Sequence, residues 1–191
     1  DSWWGSEVDG PTVAKGGARA ELATRKLFVA ETVPTTGSAT ANSKPSGDTT
    51  VAYTNASDLT TIDETRFGFS AAEVDDFQDA FVNIMLNGWG DPLHSEPRLA
   101  NFGFSGSSLE AAAANPDLQK NLVFVATNDG MIHAVDPIDG SEKWAFAPSG
   151  EAKKLKSRFA NDKMVDQKRT TYGLDGGMTF WRRGDGSTGV E

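Results

Sequence analysis

The sequence predicts a mainly β chain with two or three short helices inserted. Three observations predict it. Short runs of β-branched and aromatic residues recur at 25–33, 49–54, 122–127, 131–136 and 142–146. Tight-turn signals, Asn128-Asp129-Gly130 and Ile138-Asp139-Gly140, separate the last three of these runs. Apolar spacing of the helical kind is confined to 70–86, 107–115 and 151–160.

Taken in order, residues 1–24 are a mixed N-terminal segment carrying Trp3 and Trp4. The run RKLFVAETV, 25–33, reads as a strand, and 49–54 reads as its return with Val51 and Tyr53 on one face. Between them, PTTGSATANSKPSGDTT is almost wholly turn formers and small polar residues, which predicts a long surface loop over 34–50. The spacing predicts a helix over 70–86. Ser70 and Glu73 form its capping box, and Val74, Phe77, Phe81 and Ile84 draw one apolar stripe, with Asp75, Asp76 and Asp79 off it. Asn87-Gly88 stops it. A second helix is predicted at 107–115, with Ser107 and Glu110 as its box and Pro116 as its end. The period then switches to alternation. Three strands joined by two short turns predict an antiparallel meander over 122–146. Residues 151–160 read as a small amphipathic helix using Leu155 and Phe159. Tyr172-Gly173-Leu174 and Met178–Trp181 read as a last strand pair around Asp175-Gly176-Gly177, and 182–191 as a turn-rich tail.

Composition limits what the chain does. Its 191 residues hold 18 basic and 27 acidic side chains, a net charge of −9, which argues against a nucleic-acid-binding surface. There is no cysteine, so disulfides, thiolate nucleophiles and zinc–sulfur sites are excluded. No apolar run approaches the length of a membrane span. The chain begins at Asp1, which reads as a processed or excised end.

The meander VFVATNDGMIHAVDPIDGSEKWAF, 123–146, resembles a blade of the quinoprotein-type β-propellers, with Trp144 placed to wedge between adjacent sheets. Three further segments narrow the resemblance: GDPLHSEP at 90–97, WAFAP at 144–148 and YGLDG at 172–176. With ATNDGMIHA at 126–134, they are similar, in order, to the start of the C-terminal propeller of the PilY family of type IV pilus tip-associated adhesins. The likeness covers roughly 65–181 and, more loosely, KGGA at 15–18 and RKLF at 25–28. It implies incomplete propeller blades over 25–181, adhesion and support of pilus assembly, minor pilins or pilus-tip proteins as partners, and a place at the bacterial surface. It implies no enzymatic activity. A quinone-dependent dehydrogenase propeller, or a structural propeller without its own ligand, are the alternative readings. The family implies calcium in the full-length protein, through an Asp-rich loop. Here Gly184-Asp185-Gly186-Ser187 offers one carboxylate, so no calcium or other cofactor site is assigned to this chain. One blade cannot cover both its faces, so Trp144 is expected to be largely buried and the chain to self-associate or pack on a partner.

Individual candidates carry bland readings beside functional ones. His94 and His133 do not come with the three or four ligands that a zinc site needs and read as structural hydrogen-bonding groups. Asp75, Asp76 and Asp79 read as a solvated helix face. Lys153, Lys154, Lys156 and Arg158 are the one basic cluster, also read as solvated. Arg183-Gly184-Asp185 spells an adhesive tripeptide that integrins recognise, in a turn-rich tail; such tripeptides also arise by chance. Asn55-Ala56-Ser57 is a formal glycosylation sequon. No catalytic, cofactor or metal residue is assigned, and the blade motif rests on Asn128, Asp129, Gly130, Asp139, Gly140 and Trp144.

Overall fold

The computed structural model describes Ala18 and residues 25–30, 50–53, 62–92, 94–106, 108–160, 172–174 and 176–180. The structure is mainly β. Strands β1 (Leu27–Ala30), β2 (Thr50–Tyr53), β3 (Arg98–Phe104), β4 (Gln119–Ala126), β5 (Ile132–Val135) and β6 (Glu142–Ala147) form one open sheet in the order β2-β1-β6-β5-β4-β3. Every pairing is antiparallel except β1 with β6, which is parallel.

The meander expected over 122–146 is present as β4–β5–β6, and its turns use the expected residues. Gly130 and Gly140 adopt φ of 88° and 74°, a region that glycine enters without a Cβ penalty. The Asp129 carboxylate accepts the Met131 N–H at 3.1 Å, and Asp139 accepts the Ser141 N–H at 2.8 Å, so each acidic side chain fixes its own turn. The pair β1–β2 is also as expected. Separate propeller blades are not what the described residues form: the meander is extended on both sides into a single sheet, and the parallel β1–β6 contact lies outside any antiparallel blade.

The structure departs from the sequence reading at two places. The segment 98–104 pairs with β4, although nothing in its sequence alternates cleanly; Gly103, at φ 107°, sits in a register shift between Asn101 and Phe104. Conversely, the expected strand pair at 172–181 is not a hairpin among its described residues. The Gly173 and Leu174 N–H groups instead donate to the Asn128 and Thr127 carbonyls, at 2.9 and 3.2 Å.

The predicted 70–86 helix is a 3₁₀ turn (Ala71–Glu73), helix α1 (Val74–Ala80) and a π-helical stretch (Phe81–Leu86) in sequence. Glu73 accepts both the N–H and the hydroxyl of Ser70, at 2.9 and 2.7 Å. With Lys156 also bonded to it, the Glu73 carboxyl is pushed down to about 2. The buried stripe is Phe77, Ala80, Phe81, Met85 and Leu86, whereas Val74 is exposed and Ile84 only partly buried. The π stretch explains the shift, since its wider turn moves the apolar face from Ile84 toward Met85. Helix α2 (Leu109–Ala114) is capped by Ser108, whose Oγ accepts the Ala111 N–H at 3.1 Å, one residue later than predicted. The 151–160 helix is two pieces, α3 (Ser149–Ala152) and α4 (Leu155–Phe159), burying Leu155 and leaving Phe159 at the surface.

The main core cluster lies on one face of the sheet, while Phe124 and Ala134 are buried on the other. Leu27 and Val29 of β1 face Ala145 and Ala147 of β6 in register, and Phe67, Phe69, Phe77 and Phe81 stack over them with several ring centroids 5.3 to 5.7 Å apart. The alternate residues point the other way. Phe28, Ile132, Trp144 and Phe146 are only half-buried there.

Candidate functional site

Two features stand out, one polar and buried, the other apolar and open. The polar one begins with Arg25, just before β1. Its guanidinium forks onto Glu142 of β6, with Nε to Oε1 at 2.8 Å and Nη2 to Oε2 at 3.0 Å, both side chains fully buried. Its Nη1 donates to the Met85 carbonyl at 2.8 Å, where a cation meets the negative end of the π-helical stretch. Glu142 Oε2 also accepts His133 Nδ1 at 2.8 Å. The other ring nitrogen, Nε2, lies 2.9 Å from Thr127 Oγ1 and 3.8 Å from Asp129 Oδ2. Thr127 donates its hydroxyl to Asp129, and Gly90 donates its N–H to Asp129 Oδ2 at 2.8 Å. Trp89 covers the assembly, its ring stacked on His133 at 4.1 Å and 22°.

The charges set one another. Burial disfavours the carboxylate of Asp129, but His133, Thr127 and the Gly90 N–H outweigh it and hold the group below its ordinary 3.8. Glu142 is held below 4.5 in the same way, by His133 and Arg25 against burial. Burial alone pushes His133 toward its neutral form; the Asp129 and Glu142 carboxylates reverse that and raise it above 6.5.

Hydroxyl, imidazole and carboxylate stand here in the order of a nucleophilic triad. Thr127 and His133 have no exposed surface, however, and the Thr127 hydroxyl is taken up by Asp129 and the Met131 carbonyl. A hydroxyl so placed reaches no substrate in this conformation. Its effect is structural: the segments at 25, 85, 89–91, 127–133 and 142 are tied at one point.

Three of the motifs that carried the family resemblance, at 90–97, 126–134 and 172–176, converge on this point. Asn128 Oδ1 accepts the Asp91 N–H at 2.9 Å, the Asn128 N–H donates to the Asp91 carbonyl at 3.0 Å, and Ser95 Oγ accepts the Ala126 N–H at 3.3 Å. Gly173 packs onto the same turn from the other side. Asn128, Asp129, Gly130 and His133 thus belong to one unit, while Asp139 and Gly140 only form the next turn. His94 is exposed and stands apart.

The apolar feature is the open sheet face. Trp144 was expected inside, between sheets. It is half-buried, edge-on to Phe28 at 6.5 Å and to Phe124 at 5.5 Å, because no second sheet covers that face among the described residues. With Lys26 and Phe146 the two rings of Phe28 and Trp144 line a shallow groove.

The remaining candidates disperse. Lys156 pairs with Glu73 at 2.7 Å, Lys154 with Glu151 at 2.7 Å, and Arg158 with Glu151; the lysines stay at least partly solvent-exposed, as read, while most of the cluster's charge is paired. Asp75, Asp76 and Asp79 are exposed on α1, as read. Among the described residues no group of three or more His, Asp or Glu is placed to hold a metal ion. None of the described helices is long and apolar enough to cross a membrane. The loop 34–50 apart from Thr50, which opens β2, the sequon at Asn55 and Arg183-Gly184-Asp185 lie outside the described residues. Arg25, Trp89, Thr127 and Glu142 were not singled out from the sequence; the available signal was two polar residues, His133 and Glu142, at strand positions whose neighbours face the core. Comparisons with protein-family models, curated proteins and solved structures returned no match to this chain.

Proposed function

We propose that the chain is a non-enzymatic interaction module of a bacterial surface pilus, acting at the pilus tip in adhesion and pilus assembly. The order of motifs at 90–97, 126–134, 144–148 and 172–176 supports the family reading. The observation that carries the interaction reading is the half-buried row Phe28, Ile132, Trp144 and Phe146, on the sheet face opposite the main core cluster. Apolar rings at a surface, with one cation beside them, are the usual makings of a protein contact rather than of a solvated face. Minor pilins or other tip proteins are the partners this reading names, and a second copy of the chain is the competing occupant.

The test is an allelic replacement in a piliated bacterium encoding the chain. Phe28→Ser with Trp144→Ser should lower surface piliation and attachment while leaving the purified protein folded by circular dichroism. A folded double variant with unchanged piliation and attachment would sink the proposal.

A further inference from the structure

We infer that His133 is held as an imidazolium in the folded chain, and that its second proton fastens the 89–91 and 172–174 segments to the Thr127–Gly130 turn, making their attachment releasable by alkaline pH. Thr127 owns one hydroxyl proton, whose acceptors are Asp129 Oδ1 and, at 3.2 Å, the Met131 carbonyl, neither of them the ring. Thr127 Oγ1 therefore faces His133 Nε2 as an acceptor, at 2.9 Å, and Nε2 must be the donor. Nδ1 lies 2.8 Å from Glu142 Oε2, and Glu142 is held ionised by two Arg25 bonds, so Nδ1 donates as well. Both nitrogens donating means a charged ring.

The proton does not rest on Asp129 instead. Asp129 Oδ1 accepts the Met131 N–H as well as the Thr127 hydroxyl, and Oδ2 accepts the Gly90 N–H, a donor set that favours the carboxylate. Charge balance agrees: Arg25 and His133 offset Glu142 and Asp129, four ionised groups buried together. The remaining charged neighbour is Arg158 of α4, whose guanidinium lies against Gly130 and is itself paired with Glu151. No other element described here brings an ionisable group onto the ring.

Removing the proton leaves Nε2 and Thr127 Oγ1 as two acceptors in contact and one buried negative charge in excess. Thr127 must then turn its hydroxyl to the ring and abandon Asp129. Asp129 is the group that holds Gly90, and the Thr127 and Asn128 carbonyls hold Leu174 and Gly173. Trp89, stacked on the ring, loses a cation beneath its face. The segments freed by this step are the two attached to the turn, while the β4–β6 ladder keeps its own bonds.

The test uses the 191-residue chain with ¹⁵N-labelled histidine. There are two histidines, and His94→Gln, at an exposed position, assigns the spectrum. At pH 7.5 both His133 ring nitrogens should carry the shifts of a protonated imidazolium. As pH rises through its titration, hydrogen-exchange protection of the Gly90, Gly173 and Leu174 amides should fall at least ten-fold, with Ala145 unchanged. A neutral tautomer at pH 7.5 would overturn the inference. So would retention of those amides through the titration, or their loss only with the whole fold.

Discussion

Glu142→Gln is the substitution to which the buried network should respond most sharply. The wild-type carboxylate neutralises two cations at once, through bonds of 2.8 and 3.0 Å from Arg25 and 2.8 Å from His133, with every side chain fully buried. Gln keeps the shape and one acceptor but removes the charge. Breaking a buried pair by removing one partner costs about 3–5 kcal/mol, because the survivor stays buried and uncompensated. His133 has an escape that Arg25 lacks, since it sheds its proton. The penalty should therefore lie near the lower end of that range at pH 8 and near the upper end at pH 5. Against a domain stability of about 5–15 kcal/mol this is a large share, and the variant should unfold at visibly lower urea. Urea titrations at both pH values, read by near-ultraviolet circular dichroism, give the two differences. A loss under about 1 kcal/mol at either pH would mean the network is wet or loosely held, and the charge accounting would fail.

The stability of the wild-type chain should itself be bell-shaped in pH. His133, raised above 6.5, contributes fully below 6.5 and its share is lost as pH rises through the raised value; Glu142, lowered from 4.5, contributes fully above 4.5 and its share is lost as pH falls through the lowered value, so melting temperatures across pH should peak between those limits. Gly173→Ala should weaken the clasp on the Asn128 turn by about 1–3 kcal/mol, since an added Cβ would stand 2.3 Å from the Gly130 nitrogen and 2.5 Å from the Asn128 oxygen; exchange protection of the Leu174 amide reports it, and a variant protected like wild type would contradict the packing.

What could be read in advance was what local chemistry dictates. The Asn128-Asp129-Gly130 and Asp139-Gly140 turns, the three strands around them, the Ser70–Glu73 start and the β1–β2 pair follow from residues adjacent in sequence. The failures have long-range causes. The edge strand β3 is legible only through β4, because Asn101 and Gly103 spoil its alternation and the partner strand, not propensity, makes it extend. The shift of the α1 stripe came from a π-helical stretch that a 3.6-residue period does not anticipate. His133 does hydrogen-bond, as read, but its partner Glu142 lies 9 residues away and Arg25, which Glu142 binds in turn, lies 117 from Glu142, so the ion pair behind the ring was not visible. Trp144 is covered for the most part, as its apolar size predicted, while the sheet's neighbours decide how much of it remains open.

The central claim is that the aromatic sheet face meets another protein, and sedimentation velocity addresses it most directly. The purified chain at micromolar concentration should form a complex with purified minor pilins or, without them, self-associate, and Phe28→Ser with Trp144→Ser should weaken that contact by about 2 kcal/mol, roughly thirty-fold in affinity. A monomer at every concentration, unchanged on mixing with the pilins and identical in the double variant, would contradict it.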